Sequence, residues 1–276
     1  MLNHRLANSI PRRLRPAVRS AVVRSRYVGL RDQDALLVSY PKSGSTWVRF
    51  LLTHALTGQE TDFDAVRRTF PPLGRQRRAP SILPGRGRAV RTHEPLATYR
   101  GAPGTPVIYL ARDARPVALS YARHTARLLG RPVEPRAFVA EFLAGAVDSY
   151  GPWHRHVSDA LAFGDRRTAP FIVVRFEDLE ADTAGTVRRL LAFLGAEPVV
   201  DVDAVVAANA ADRMRAKEAR SDRMRRKSRD GSAFVRGGGR VSWDEVVPLE
   251  QRAHFETVAG RSLRALGYPV EPGSMP

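Results

Sequence analysis

Cysteine is absent from the sequence of 276 residues, and lysine is scarce. The absence of cysteine excludes disulfide bonds, thiolate-ligated zinc or iron–sulfur centres, and thiol nucleophiles. No apolar run reaches the roughly 18 residues that a membrane-spanning helix needs. Arginines interrupt every stretch near the N-terminus that could form the apolar core of a signal peptide. These absences predict a cytoplasmic protein without a membrane-spanning segment.

Positive charge is abundant and comes almost entirely from arginine. Lysine and arginine together number 45 against 28 aspartates and glutamates, which gives a net charge of +17. Three stretches are dense in arginine: 5–31, 75–91 and 213–229. They are interpreted either as solvated faces and surface loops, or as sites for a polyanionic substrate or cofactor or for an anionic membrane surface. Nucleic acid is not an expected partner.

The order of apolar runs and turn signals predicts an α/β fold in a single domain. That domain spans 34–270, after a basic helical appendage at 1–33 and before a tail at 271–276. Strands are predicted at 35–40, 89–92, 107–111 and 171–175, and helices at 46–56, 115–129, 135–145, 150–163, 182–194 and 249–266. Residues 58–88 are interpreted as a surface loop near the site. Strands separated by helices imply a parallel sheet with helices on both faces.

One loop has the features of a phosphate-binding site. The strand at 35–40 runs into Pro41-Lys-Ser-Gly-Ser-Thr46, and a helix follows directly. Backbone N–H groups at the positive end of a helix dipole favour phosphate. The loop is not a Walker A motif, because Ser39 stands where its first glycine would be and Lys42 precedes Gly44 instead of following it. An ordinary strand–helix turn is the alternative interpretation.

The segment Tyr40-Pro-Lys-Ser-Gly-Ser-Thr-Trp47 resembles the 5′-phosphosulfate-binding loop of PAPS-dependent sulfotransferases, the cytosolic and Golgi superfamily (PAPS is 3′-phosphoadenosine 5′-phosphosulfate). Further segments are similar to motifs of that family in the same order: 91–95, 111–121, 142–156, 175–179 and 234–243. The resemblance covers about residues 35–268. It implies a P-loop-like central parallel sheet, PAPS as the sulfuryl donor, PAP as the product, and no required metal.

The resemblance implies a role for each residue of the loop. Lys42 matches the lysine that contacts the bridging and 5′-phosphate oxygens, where a cation stabilises the charge that develops during sulfuryl transfer. Ser45 and Thr46 match the residues that bind the 5′-phosphate through hydroxyl and backbone N–H groups. Ser43 and Gly44 belong to the same cofactor-binding loop.

The resemblance implies a role in the chemistry for two residues at the end of the second strand, Arg91 within it and His93 directly after it. His93 corresponds to the general base of the family, and a neutral imidazole is suited to accept the proton of an acceptor hydroxyl at neutral pH. Arg91 stands where many members of the family have lysine. A guanidinium can neutralise a sulfuryl oxygen but cannot give up a proton, so the expected role of Arg91 is charge stabilisation.

The 3′-phosphate of the cofactor has its own implied residues. Arg112 and Ser120 match the pair that binds it, one at a strand end and one in the following helix; an ion pair between Arg112 and Asp113 is the alternative. Arg236 and the glycines that follow match a late loop that closes over the same phosphate. Those glycines are Gly237 and Gly238, and Gly237 replaces a lysine that is usual in the family.

The implied adenine contacts depart from the family pattern. Trp47 matches an aromatic residue that packs on adenine, with a core tryptophan as the alternative. Phe176 stands where a tyrosine usually hydrogen-bonds the base, and Ala211 stands where an aromatic side chain usually stacks on it. We therefore expect the cofactor to be held more by its phosphates than by base recognition.

The sequence thus predicts in-line transfer of a sulfuryl group from PAPS to a hydroxyl or amine of a glycan, a lipid-linked molecule or a small molecule. The alternatives are a P-loop nucleotide-dependent, kinase-like enzyme and a non-enzymatic binder of polyanions or membrane surfaces. Arginine-rich segments at 58–88 and 213–234 favour an anionic acceptor. The basic N-terminal segment would suit a peripheral contact with the inner face of the membrane. Nothing in the sequence indicates the oligomeric state.

Overall fold

Four short parallel strands form the centre of the sheet. The computed structural model describes residues 15–235 and 242–270. The strands are β1 (Ala35–Ser39), β2 (Ala89–Thr92), β3 (Val107–Ala111) and β4 (Phe171–Arg175), in the spatial order β2-β1-β3-β4. All neighbours pair in parallel, which confirms the predicted α/β fold. β1 and β3 are buried along their whole length, as their continuous apolar runs require of strands covered on both faces.

Helices connect the strands and cover the sheet. In chain order they are α1 (Arg15–Arg26), α2 (Ser45–Thr57), α3 (Ala65–Thr69), α4 (Ala114–Leu129), α5 (Pro135–Ala144), α6 (Trp153–Asp165), α7 (Phe176–Ala181), α8 (Thr183–Phe193), α9 (Val202–Ala208), α10 (Ala211–Ala219), α11 (Asp222–Lys227), α12 (Trp243–Val246) and α13 (Leu249–Ala265). Short turns of 3-10 helix lie at Gln76–Arg78, Pro84–Arg86 and Leu96–Thr98. None of these helices has the length and apolar character to cross a bilayer in the described ranges.

Side chains that alternate along β1 enter two separate cores. Leu36 and Val38 belong to a core that α4, α5, α6 and α13 complete on one face of the sheet. Ala35 and Leu37 belong to a second core on the other face, which α2, α8 and α9 complete. The loop that follows β1 therefore extends from a strand packed firmly on both sides.

A third apolar cluster attaches the later helices to the first part of the chain. Phe50 on α2 and Val66 on α3 pack with Met214 on α10 and Met224 on α11. Phe234 is half-buried against this cluster. The contact brings the segment 211–235, which follows β4 by many residues, beside the loop after β1.

The helix α1 is attached to the domain by apolar and charged contacts. Val23 and Tyr27 are buried in the first core. Arg19 and Arg26 each place a guanidinium nitrogen 2.8 Å from the carboxylate of Glu94, which follows β2. The expected boundaries at residues 33 and 270 remain a prediction, and residues 1–14 and 271–276 lie outside the described residues.

Candidate active site

The loop between β1 and α2 presents hydrogen-bond donors at the start of a helix. α2 begins directly after Gly44, whose φ of 96° lies in the left-handed region that favours glycine. Within the described ranges, the N–H groups of Gly44, Ser45 and Thr46 donate to no carbonyl. They remain available at the positive end of the α2 dipole, and this arrangement suits a phosphate.

Ser43 and Lys42 add polar groups to the same loop. The Ser43 side chain is buried, and its Oγ has no hydrogen-bond partner among the described residues. A buried hydroxyl without a partner is costly, so its position favours contact with a ligand atom. Lys42 has a φ of 72°, which is strained for a residue other than glycine. Its Nζ lies 4.3 Å from the centre of the Phe234 ring.

The Phe176 ring packs beside three residues for which the sequence predicts cofactor binding. It lies so close to Gly44 that a Cβ added there would be 2.3 Å from the ring. The Arg112 guanidinium is 4.0 Å from the ring centre, and the Trp47 ring centre is 6.1 Å away. The Trp47 indole also donates a hydrogen bond to the carbonyl of Asn209 at 2.9 Å. Gly44, Arg112 and Trp47 are therefore held together by packing around the Phe176 ring.

Arg112 lies at the end of β3 beside the loop. Its Nη1 donates to the carbonyl of Lys42 at 3.2 Å. The alternative ion pair with Asp113 does not form, because Asp113 caps α4 and pairs with Arg115 at 2.7 Å. Arg112 therefore stays at the loop with its guanidinium stacked on an aromatic ring.

His93 follows β2 and lies beside the end of the neighbouring strand β1. Its Nδ1 is 2.7 Å from the carbonyl oxygen of Ser39. Since a carbonyl can only accept, Nδ1 carries the proton and donates, and Nε2 holds the free lone pair. Nε2 makes no hydrogen bond to the residues that the structure describes. The ring of Tyr150 borders the imidazole, with 5.7 Å between the ring centres.

Comparison with known proteins decides the family. A sulfotransferase-domain family model matches residues 32–267. Sulfotransferase 1A1 of Bos taurus is 31% identical over 265 residues, which cover 84% of this chain and 85% of that protein. The chain belongs to the sulfotransferase family. Enzymes of this family take the sulfuryl group from PAPS and release PAP.

Solved structures show the same fold as this sulfotransferase. Retinol dehydratase in complex with androsterone and inactive cofactor PAP matches with a TM-score of 0.69 at 22% identity, over 95% of this chain and 88% of that chain. Mouse sulfotransferase SULT7A1 complexed with PAP matches with a TM-score of 0.62 at 21% identity, over 85% and 84% of the two chains. The expected P-loop-like sheet is thereby confirmed.

His156 of the sulfotransferase supports His93 and was not singled out from the sequence. It is fully buried, and its Nε2 donates to the carbonyl of His93 at 3.2 Å. Its Nδ1 accepts from the hydroxyl of Tyr109 at 2.9 Å. The only sequence signal was its place at the end of the segment 142–156, which the family resemblance marks as structural. His156 positions the backbone at the candidate base.

Both histidines are neutral at physiological pH. Burial, together with the positive charges of Arg91 and Arg49, lowers the pKa of His93 to about 3. Burial lowers the pKa of His156 to about 4. Arg91, two residues before His93, is half-buried, and burial also lowers the pKa of its guanidinium. The imidazole of His93 is therefore available as a proton acceptor beside a group of cations.

The predicted site residues thus fall into two neighbouring groups. The first contains the loop 42–47 with Arg112 and Phe176, and the second contains Arg91 and His93. Ser120 lies two turns into α4, and its side-chain hydroxyl makes no hydrogen bond to the described residues. Arg236, Gly237 and Gly238 lie outside the described residues. No group of three or more histidine, aspartate and glutamate side chains suited to a metal ion occurs in 15–235 and 242–270.

Proposed function

We propose that this sulfotransferase transfers a sulfuryl group from PAPS to a hydroxyl or amine of an acceptor in one in-line displacement. The observation that carries the proposal is the adjacency of two groups at the same edge of the sheet. One is the donor-rich loop after β1, and the other is His93 after β2, with its Nδ1 proton held by Ser39. Ligands of open parallel α/β sheets bind at this carboxyl edge of the strands.

The residues at the loop fit the phosphates of PAPS, which supplies the sulfuryl group. The buried Oγ of Ser43 and the N–H groups of Gly44, Ser45 and Thr46 would hold the 5′-phosphate. Lys42 would stabilise the charge that develops on that phosphate as the sulfuryl group leaves. Because the charge grows toward the transition state, a cation at this place lowers the barrier more than it strengthens ground-state binding.

The second phosphate and the base of the cofactor have separate contacts in the proposal. Arg112 would bind the 3′-phosphate together with Ser120 and with Arg236, Gly237 and Gly238. A guanidinium suits this task because it can offer two parallel donors to a dianion. Trp47 and Phe176 would pack near adenine, and the absence of a hydroxyl on Phe176 leaves the base with weaker polar recognition.

The Nε2 atom of His93 would take the proton from the hydroxyl or amine of the substrate that receives the sulfuryl group. The hydrogen bond from Nδ1 to Ser39 fixes the tautomer that this role needs. Arg91 would neutralise charge on the transferring group and would not move a proton, because a guanidinium remains protonated. The acceptor classes remain a small molecule, a glycan or a lipid-linked molecule. A cytoplasmic location and a peripheral membrane contact remain predictions.

Calorimetric titration with PAP tests the donor site directly. We expect micromolar binding of PAP without Mg²⁺, weaker binding of ATP, and at least a tenfold loss of PAP affinity in Lys42→Ala. The matched control is Arg189→Ala, which removes an exposed cation from α8. Absence of PAP binding by the unmodified protein would overturn the proposal. Equal losses in the two variants would show that bulk charge, not Lys42, determines binding.

A further inference from the structure

Four arginines from four separate elements gather on the His93 side of the site. Arg49 lies on α2, Arg67 on α3, Arg91 at the end of β2, and Arg223 on α11. We call these residues the arginine cluster. α3 connects three of them: Arg49 donates to the carbonyl of Val66 on this helix, and Arg223 lies 3.9 Å from Asp64, the residue before the helix that carries Arg67. Their charges also act on one another, since burial and the charges of Arg67 and Arg223 lower the pKa of both Arg49 and Arg91. Arg91 and Arg49 in turn lower the pKa of His93, so these two members lie beside the candidate base.

Arg49 is the buried member of the arginine cluster. Only 6% of the residue is exposed, and burial together with the charges of the other three members lowers the pKa of its guanidinium to about 9. Its Nη2 donates to the carbonyl of Val66 at 3.1 Å, and the group lies 6.0 Å from the centre of the Phe70 ring. Its Nε has no hydrogen-bond partner among the described residues. A buried cation whose donors are incompletely satisfied is costly unless an anion completes its contacts.

Arg91 is held rigidly by its backbone. Its N–H donates to the carbonyl of Pro71 at 2.9 Å, and its own carbonyl accepts from the N–H of Leu73 at 2.8 Å. Its side-chain Nε is buried and has no hydrogen-bond partner in the described part of the chain. Two cluster members, Arg49 and Arg91, therefore have unused donors beside His93, and both stand on packed secondary structure.

The arginine cluster lacks the carboxylates that neutralise other arginines of this protein. Within the described residues, the only carboxylate within 4.0 Å of a cluster nitrogen is Asp64, which lies 3.9 Å from Arg223. By contrast, the buried Arg88 has a close carboxylate partner in Asp34, and the half-buried Arg115 has one in Asp113. Four positive charges against one negative charge leave a net positive site that favours an anion.

We propose that the arginine cluster binds an anionic group of the acceptor and so places a neighbouring hydroxyl at His93. The group is an oxyanion: a carboxylate, a sulfate ester or a phosphate ester. The inference rests on the proposed sulfuryl transfer and names its substrate class. The phosphates of the donor have their own contacts at the loop 42–47 and Arg112. Arg91 would serve both the transferring sulfuryl group and the anion of the acceptor. Arg49, Arg67 and Arg223 would supply charge on the acceptor side, where guanidinium groups can form paired hydrogen bonds with an oxyanion.

The test uses the protein saturated with PAP, so that the donor site is already filled. Four probes with one ring system are titrated calorimetrically: 2-naphthol, 2-naphthoate, naphthalene-2-sulfonate and 2-naphthyl phosphate. We expect the anionic probes to bind at least tenfold more tightly than 2-naphthol. The order among the three anions identifies which oxyanion the arginine cluster prefers.

A matched pair of neighbouring arginines locates the binding. Arg67→Ala removes a cluster member, whereas Arg68→Ala removes an exposed arginine from the same short helix. We expect Arg67→Ala to weaken binding of the anions at least fivefold and to leave 2-naphthol unchanged, and we expect Arg68→Ala to change neither. Both positions are accessible to solvent, so both variants should fold, and their PAP affinity checks that the donor site is intact.

Three outcomes would overturn the inference. They are the absence of anion binding to the PAP complex, equal affinity for neutral and anionic probes, and equal effects of the two variants. Failure of PAP binding would instead overturn the proposed function, because that measurement precedes the addition of any probe. The two failures are therefore distinguishable in one series of titrations.

Discussion

Replacing His156 with glutamine should reduce the sensitivity of the fold to acid. His156 is buried and hydrogen-bonds to no carboxylate of the described residues; its two partners are the hydroxyl of Tyr109 and the carbonyl of His93. Its Nε2 must donate to that carbonyl, so its Nδ1 accepts from the Tyr109 hydroxyl and holds no proton. Protonation of His156 in the folded protein would break the second bond and place a charge in the core.

The expected magnitude follows from the difference in pKa between the folded and unfolded states. The pKa of His156 is about 4 in the folded protein and about 6.5 in an unfolded chain. Because the folded value is lowered, the unfolded state binds more protons below pH 6.5, and the free energy of unfolding falls there by about 1.4 kcal/mol per pH unit. Between pH 7 and pH 5 the loss from this histidine is about 2 kcal/mol.

Urea denaturation at pH 7 and pH 5 measures this loss. The unmodified protein should lose about 2 kcal/mol more than His156→Gln over this interval. The cost of altered hydrogen bonds to Tyr109 is present at both pH values and cancels in the comparison. His254→Gln, which removes an exposed histidine from α13, is the control. Equal losses in the unmodified protein and in His156→Gln would refute the argument that a neutral, buried His156 makes the fold acid-sensitive.

Two other substitutions test the loop after β1 and the buried ion pair of Arg88 with Asp34 at the opposite edge of the sheet. Gly44→Ala should weaken PAP binding more than tenfold, because its Cβ would lie 2.3 Å from the Phe176 ring. Gly195→Ala is the control, because an added Cβ there meets open space and the φ of 61° leaves only the backbone strain of about 1–2 kcal/mol. Equal losses of PAP affinity in Gly44→Ala and Gly195→Ala, measured by calorimetry, would contradict the steric argument. Arg88→Met should lower the free energy of unfolding by about 3–5 kcal/mol, because Asp34 is fully buried and accepts from the Arg88 Nε at 2.9 Å. Urea denaturation that shows a loss below about 1 kcal/mol would contradict this expectation.

The strands could be predicted from local sequence because each is an apolar run bounded by a turn residue. β3 follows Pro106 and β4 follows Pro170, and both begin at the next residue. β3 is buried along all five residues, whereas only Val174 is fully buried in β4. The two apolar runs nevertheless match the two strands in length, so the local sequence contains the signal for both. The longer helices were predictable for a related reason, since each repeats its buried positions over several turns.

The short helix α3 escaped prediction because it has too few residues to show a period. Only Val66 of its five residues is buried, so the segment 58–88 looked irregular. The helix is stabilised by long-range packing, in which Val66 meets Phe50 on α2 and Met214 on α10. A pattern within five residues cannot reveal contacts with helices so distant in the chain.

Some features of the candidate site could be predicted from neighbouring residues in the sequence, and others depend on contacts between residues far apart in the chain. The donors of the loop 42–46 are consecutive, so their common position followed from the strand–loop–helix order alone. The packing of Phe176 on Gly44 joins residues 132 positions apart, and the support of His93 by His156 spans 63 positions. No spacing rule predicts such contacts, because they depend on which strands are neighbours in the folded sheet.

The basicity of His93 depends on the charges that surround it. Burial and the cations Arg91 and Arg49 lower its pKa to about 3 when no anion offsets them. An oxyanion bound beside these guanidinium groups would oppose their field and raise the pKa of His93 toward the range where a general base is effective. The phosphates of the donor would act in the same direction from the loop side. The proposed base is therefore weakest before the anions are bound, and it becomes a better proton acceptor as both sides of the site fill.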